Sequence, residues 1–82
     1  MDMQFDVDSF WMRVKCLLKQ KGITQAAAAK ACGISFYTFR GWMSKGVIPV
    51  VSEAYILARY LGVSVEYLVS GRGKDNVQRK QL

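Results

Sequence analysis

An all-α domain of five short helices is the architecture this sequence predicts, and three observations predict it. Apolar residues recur at i, i+3, i+4 and i+7 in several separate stretches, the period of a helix with one buried face. Residues suited to helix starts and stops alternate along the chain, with Thr24, Ser35 and Ser64 at starts and Gly22, Gly33 and Gly62 at stops. Strand signals are nearly absent, because the short β-branched runs at 47–51 and 63–65 sit against loops or helix starts. The chain has 82 residues and a 51% apolar fraction, enough for one packed core and too apolar for a disordered tail. A core this small is only marginally stable, which demands short loops and well-capped helices.

Residues 1–7 read as an acidic, flexible lead-in. Asp8 or Ser9 is placed to cap the first helix by accepting from its free N–H groups. Phe10, Val14, Leu17 and Leu18 form its apolar stripe, while Arg13, Lys15, Lys19 and Lys21 lie off it. Lys19 and Lys21 also complement the negative end of the helix dipole before Gly22 stops the helix. Thr24 caps the second helix, whose run of alanines from Ala26 to Ala29 has the highest helix propensity and lets a neighbouring helix come close. Gly33 falls in a tight turn where positive φ is expected, Ile34 plugs the corner, and Ser35 caps the third helix. Phe39 and Trp42 face inward there with Met43 beside them. That leaves Phe36, Tyr37, Thr38, Arg40, Gly41 and Ser44 facing outward or sideways. Residues 45–51 form a loop punctuated by Gly46 and Pro49. A fourth helix starts between Val50 and Glu53 and carries Ala54, Leu57, Ala58 and Leu61 at perfect helical spacing up to Gly62. Ser64 caps a short fifth helix containing Val65, Tyr67, Leu68 and Val69. Residues 71–82 read as a flexible basic tail, so the folded domain is expected over 8–70.

The charge narrows the function. A net charge of +6 suits a polyanionic partner, either nucleic acid or an acidic membrane surface. Its arrangement is one-sided: from Arg13 to Ser52 there are seven Lys or Arg and no Asp or Glu. Two helices joined by a tight turn inside that stretch predict a helix-turn-helix reading the major groove of double-stranded DNA.

Other chemistries fit poorly. The chain has no histidine and two cysteines, Cys16 and Cys32, whereas a structural metal site takes about four ligands. Neither a metal nor any other cofactor is expected, and both cysteines are expected as buried free thiols. No catalytic residues are expected either. Neither cysteine has a plausible base beside it, the six carboxylates are scattered, and no glycine-rich phosphate loop is present. No run of eighteen apolar residues predicts a membrane span, and no small-molecule ligand is predicted. The acids in MDMQFDVDSF stand where a signal peptide has a basic region, so a cytoplasmic protein is expected.

One ordered string of residues carries a resemblance. It begins with Gly22-Ile23-Thr24-Gln25 and continues with Ala29 three residues before Cys32-Gly33-Ile34-Ser35. Trp42, Pro49, Ala58 and Leu61-Gly62-Val63-Ser64 follow, and Val65-Glu66-Tyr67-Leu68-Val69-Ser70-Gly71 closes it. Over about residues 10–70 the chain resembles the Cro/C1-type helix-turn-helix family, the lambda repressor-like DNA-binding domains, and its last helix looks like that of phage-type repressors. The resemblance implies a transcriptional regulator, a repressor by preference. It would act as a homodimer on a pseudo-palindromic operator, with the third helix in the major groove. Carried over by position, it implies base reading by Phe36, Tyr37, Thr38, Arg40, Gly41 and Ser44. Phosphate contacts are expected from Thr24, Gln25 and Ser35 and from the nearby Lys19, Lys21 and Lys45. Dimerisation is implied by the resemblance alone, with Val65, Tyr67, Val69 and the tail as candidates for the interface.

The chain departs from the family pattern in three places. Relatives place polar readers where this chain has Phe36 and Tyr37. Phe36 cannot hydrogen-bond a base edge, though an aromatic ring can pack on a thymine methyl, and Arg40 is the best candidate for a strong contact. Relatives pair an Arg late in the first helix with a Glu late in the third, where this chain has Leu18 and Met43, so an apolar contact is expected instead. Relatives carry a leucine where Ala28 stands, a space for Trp11 or Phe36 to fill. The alternative function is a protein-interaction module on the same fold, docking through Phe36, Tyr37 and residues 47–51.

Overall fold

The computed structural model describes residues 6–72. Residues 1–5 of the expected lead-in and 73–82 of the expected basic tail lie outside the described residues. The fold is all-α, with helices α1 (Val7–Lys21), α2 (Gln25–Ala31), α3 (Phe36–Lys45), α4 (Val51–Leu61) and α5 (Val65–Ser70), and no strand among the described residues.

Local chemistry sets each boundary. Thr24, Ser35 and Ser64 cap α2, α3 and α5, each side chain accepting from a backbone N–H three residues on. The cap of α1 differs from expectation. Asp6, rather than Asp8 or Ser9, takes the extended cap conformation and accepts from the Asp8 N–H at 3.1 Å. The Ser9 hydroxyl donates to the same carboxylate at 2.7 Å and, as the main cause, holds the Asp6 pKa below its usual value. The helix therefore starts two or three residues earlier and adds Val7 to the residues packed against the core.

One device ends four of the five helices. A glycine is followed by a β-branched residue whose N–H reaches back five positions, as in Ile23 to Leu18 O, Ile34 to Ala29 O, Val47 to Trp42 O and Val63 to Ala58 O. This satisfies the orphan carbonyls of the last turn. Ile23, Ile34 and Val63 also pack against or join the core. At Gly33, in the α2–α3 turn, φ is +75°, as the sequence leads one to expect.

The core is a single apolar cluster in which Phe10, Val14, Phe39, Leu57, Leu61 and Leu68 are fully buried. Ala28 and Ala29 are buried as well, consistent with the close approach of α2 to both α3 and α4. Leu18 is buried and Met43 packs against the same cluster, so apolar side chains occupy the places of the family's ion pair. Trp11 is only 3% exposed and stands edge-on to both Phe10 (5.0 Å between centroids) and Phe39 (5.6 Å), joining α1 to α3. Phe36 stays at the surface at 41% exposure.

The cysteines split. Cys32 is buried, and desolvation, with the nearby Glu53 charge a smaller cause, raises its thiol pKa. Cys16 is exposed, against expectation. It belongs to α1 but lies between Trp11–Leu18 and Phe10–Leu17 only in sequence; around the helix it falls outside the buried stripe.

Candidate nucleic-acid interface

The geometry of the α2–turn–α3 unit follows from its caps. Cys32 and Gly33 bond back into α2, Ile34 anchors the corner, and Ser35 opens α3. Phe39 is buried and Trp42 and Met43 are half-buried against the core, which fixes the rotation of α3 about its own axis. The opposite face is thereby exposed.

On that face the structure gathers most of the expected base-reading set. Tyr37, Thr38, Arg40, Gly41 and Ser44 line one open hollow together with the expected phosphate residue Lys45. Tyr37 is 81% exposed, the most accessible aromatic residue on the helix. Arg40 lies over the Phe36 ring, with its guanidinium carbon 5.6 Å from the ring centroid, one helical turn away. Phe36 thus serves as a surface platform under Arg40.

Hydroxyl groups at the start of the two helices already have work in the fold. The Ser35 oxygen accepts from the Thr38 N–H and its proton is donated to the Thr38 hydroxyl oxygen, both at 3.0 Å. The Thr24 oxygen accepts from the Ala27 N–H at 3.0 Å. Thr24, Gln25, Lys19 and Lys21 do not line the hollow. They sit at the α1–α2 corner, where both lysines are exposed on the last turn of α1 and Gln25 is half-buried at the first position of α2.

Two residues with structural roles were not singled out for them by pattern. Arg13 Nη1 donates to the carbonyls of Leu68 (3.0 Å) and Val69 (3.4 Å), so this cation ties α1 to the end of α5. The Trp11 Nε1–H donates to the Val47 carbonyl at 2.9 Å and pins the loop that follows α3. A signal for Trp11 exists, since Trp11, Val14 and Leu18 fit i, i+3, i+7. No signal along the chain marks Arg13, whose partners lie 55 residues away.

Of the expected dimer candidates, Val65 and Tyr67 pack against the core and Val69 is 38% exposed. Among the described residues, no helix is long and apolar enough to cross a membrane.

A family model described as Helix-turn-helix matches residues 14–68, from the middle of α1 into α5. No curated protein and no solved structure gives a significant match. The match spans all of α2, the turn and α3 and more than half of the chain, and the chain belongs to the Cro/C1-type helix-turn-helix family of DNA-binding regulators.

Proposed function

We propose that this protein is a sequence-specific transcriptional repressor that places α3 in the major groove of an operator. One observation carries the reading: the exposed face of α3 presents Tyr37, Thr38, Arg40, Gly41, Ser44 and Lys45 around one hollow, in a stretch of sequence without a single acidic residue. Arg40 supplies bidentate donors suited to guanine, and its seat on Phe36 limits the rotamers it loses on binding. Lys19, Lys21 and Lys45, with Thr24, Gln25 and Ser35, supply backbone contacts that set register without reading sequence. Two copies would bind half-sites about one helical turn, roughly 34–36 Å, apart on a pseudo-palindrome.

Selection of bound duplexes from a random pool tests this reading, with the mass of the complex measured. A shared motif, its pseudo-symmetry, two chains per duplex and a steep loss of affinity with salt are the expected results. Absence of salt-sensitive binding to every duplex would refute it. The exposure of Val50 (62%), Val51 (82%) and Tyr37 favours the second reading, a protein-docking surface. Alanine at Arg40 and Lys45 separates the two, abolishing duplex binding under the first and leaving a protein complex intact under the second.

A further inference from the structure

Gly41 is the one glycine of α3's interior, and the fold gives no reason for it. Its backbone is helical without positive φ, and a Cβ built there meets nothing within 4 Å. Neither turn geometry nor internal crowding calls for glycine, although in a helix interior it disfavours folding roughly fivefold relative to alanine. The missing side chain leaves space on the outside, in the hollow between Tyr37 one turn before and Lys45 one turn after.

We infer that Gly41 is a specificity determinant that acts through its missing side chain, seating the C5 methyl group of one thymine against the bare backbone of α3. The inference rests on the DNA-binding reading and adds to it the identity of one contact. Three features favour a methyl group over a phosphate. The Gly41 N–H is inside the helix and bonds to the carbonyl four residues before it, so Gly41 itself offers an anion no donor, and the donors of the hollow belong to the side chains of Thr38, Arg40, Ser44 and Lys45. The hollow is also lined by Trp42, Val47 and the ring of Tyr37, which are apolar surfaces. In the major groove only thymine projects a methyl group among the base edges, and apolar contact is how it is read.

The test uses the full chain and the duplex enriched from a random pool. Each thymine of that duplex is replaced in turn by uracil, which lacks only the methyl group, and binding is measured for the wild type and for Gly41→Ala. Gly41→Ala should melt about 4–8 °C higher, because the helix gains and nothing clashes. It should nonetheless bind the enriched duplex about tenfold more weakly, a figure of the size overpacking of a tight contact produces. For the wild type, uracil at one thymine should cost about fourfold, the effect of one buried methyl-sized group. For Gly41→Ala the same uracil should cost nothing or restore affinity. Wild-type-like binding by Gly41→Ala, or indifference to uracil at every thymine, overturns the inference while leaving DNA binding in place. Failure to enrich any duplex overturns both, so the two failures are told apart.

Discussion

Replacement of Trp11 by phenylalanine isolates what the indole does. The ring is nearly fully buried, edge-on to Phe10 and Phe39, with its N–H on the Val47 carbonyl at 2.9 Å. Phenylalanine keeps both edge-on partners and loses the hydrogen bond and part of the ring. Val47 is 41% exposed, so its freed carbonyl can be hydrated and the lost bond costs only about 1 kcal/mol. The smaller ring forfeits the burial of about two carbons, roughly 1.6 kcal/mol. The sum, about 2–3 kcal/mol, corresponds to a fall in Tm of roughly 10–20 °C for a domain of this size. Urea and thermal unfolding followed by circular dichroism measure both quantities. Duplex affinity should fall less than for Arg40→Ala below the melting range, because α3 keeps its inner contacts through Phe39. A loss of stability under about 0.5 kcal/mol would refute the bridging role, since a surface substitution alone accounts for that much.

Arg13→Met should destabilise by about 1–2 kcal/mol through loss of the charge-assisted bonds to the end of α5, and should selectively speed amide exchange in 65–71. Phe36→Leu should leave the melting temperature within a few degrees and weaken duplex binding about two- to fivefold, the worth of an exposed cation–π contact that orients Arg40. An unchanged affinity would deny Phe36 that role. A disulfide-exchange reagent near pH 8 should modify Cys16 rapidly and Cys32 only on unfolding, because Cys32 is buried and its thiol ionises at higher pH than usual. The Asp6 pKa is lowered from 3.8, so its capping contribution is complete above that pH and is lost as pH falls through the lower folded value. Loss of the Asp8 and Ser9 amide shifts over that range, followed by NMR, checks it.

The helices were legible because their information is local. Thr24, Ser35 and Ser64 announce starts, and Gly22, Gly33 and Gly62 announce ends, through bonds spanning only a few residues. The inner face of α3 was legible for the same reason: Phe39, Trp42 and Met43 fix its rotation, and the outward set follows by elimination. Local pattern misleads where two neighbours compete. Asp6, Asp8 and Ser9 are all competent caps, and the choice of Asp6 depends on Val7 finding a place against the core. Cys16 lies one residue from Leu17, and one step around a helix, about 100°, decides burial. Arg13 is a surface cation by pattern and a clasp in the fold, because its acceptors are distant backbone carbonyls without a sequence signature. For Gly41, pattern places the residue on the outer face, and only the three-dimensional surroundings reveal that the fold makes no use of its smallness.

The bond from Arg13 to Leu68 closes the chain across 55 residues. Its consequence is temporal. A chain made from its N-terminus produces α1 before α5, so during synthesis the part of α1 that packs on α5 waits for that partner. Until residues 65–69 have left the ribosome, the part of α1 that α5 covers has no partner. Docking of a six-residue helix, the smallest element of the fold, then completes the cover of α1.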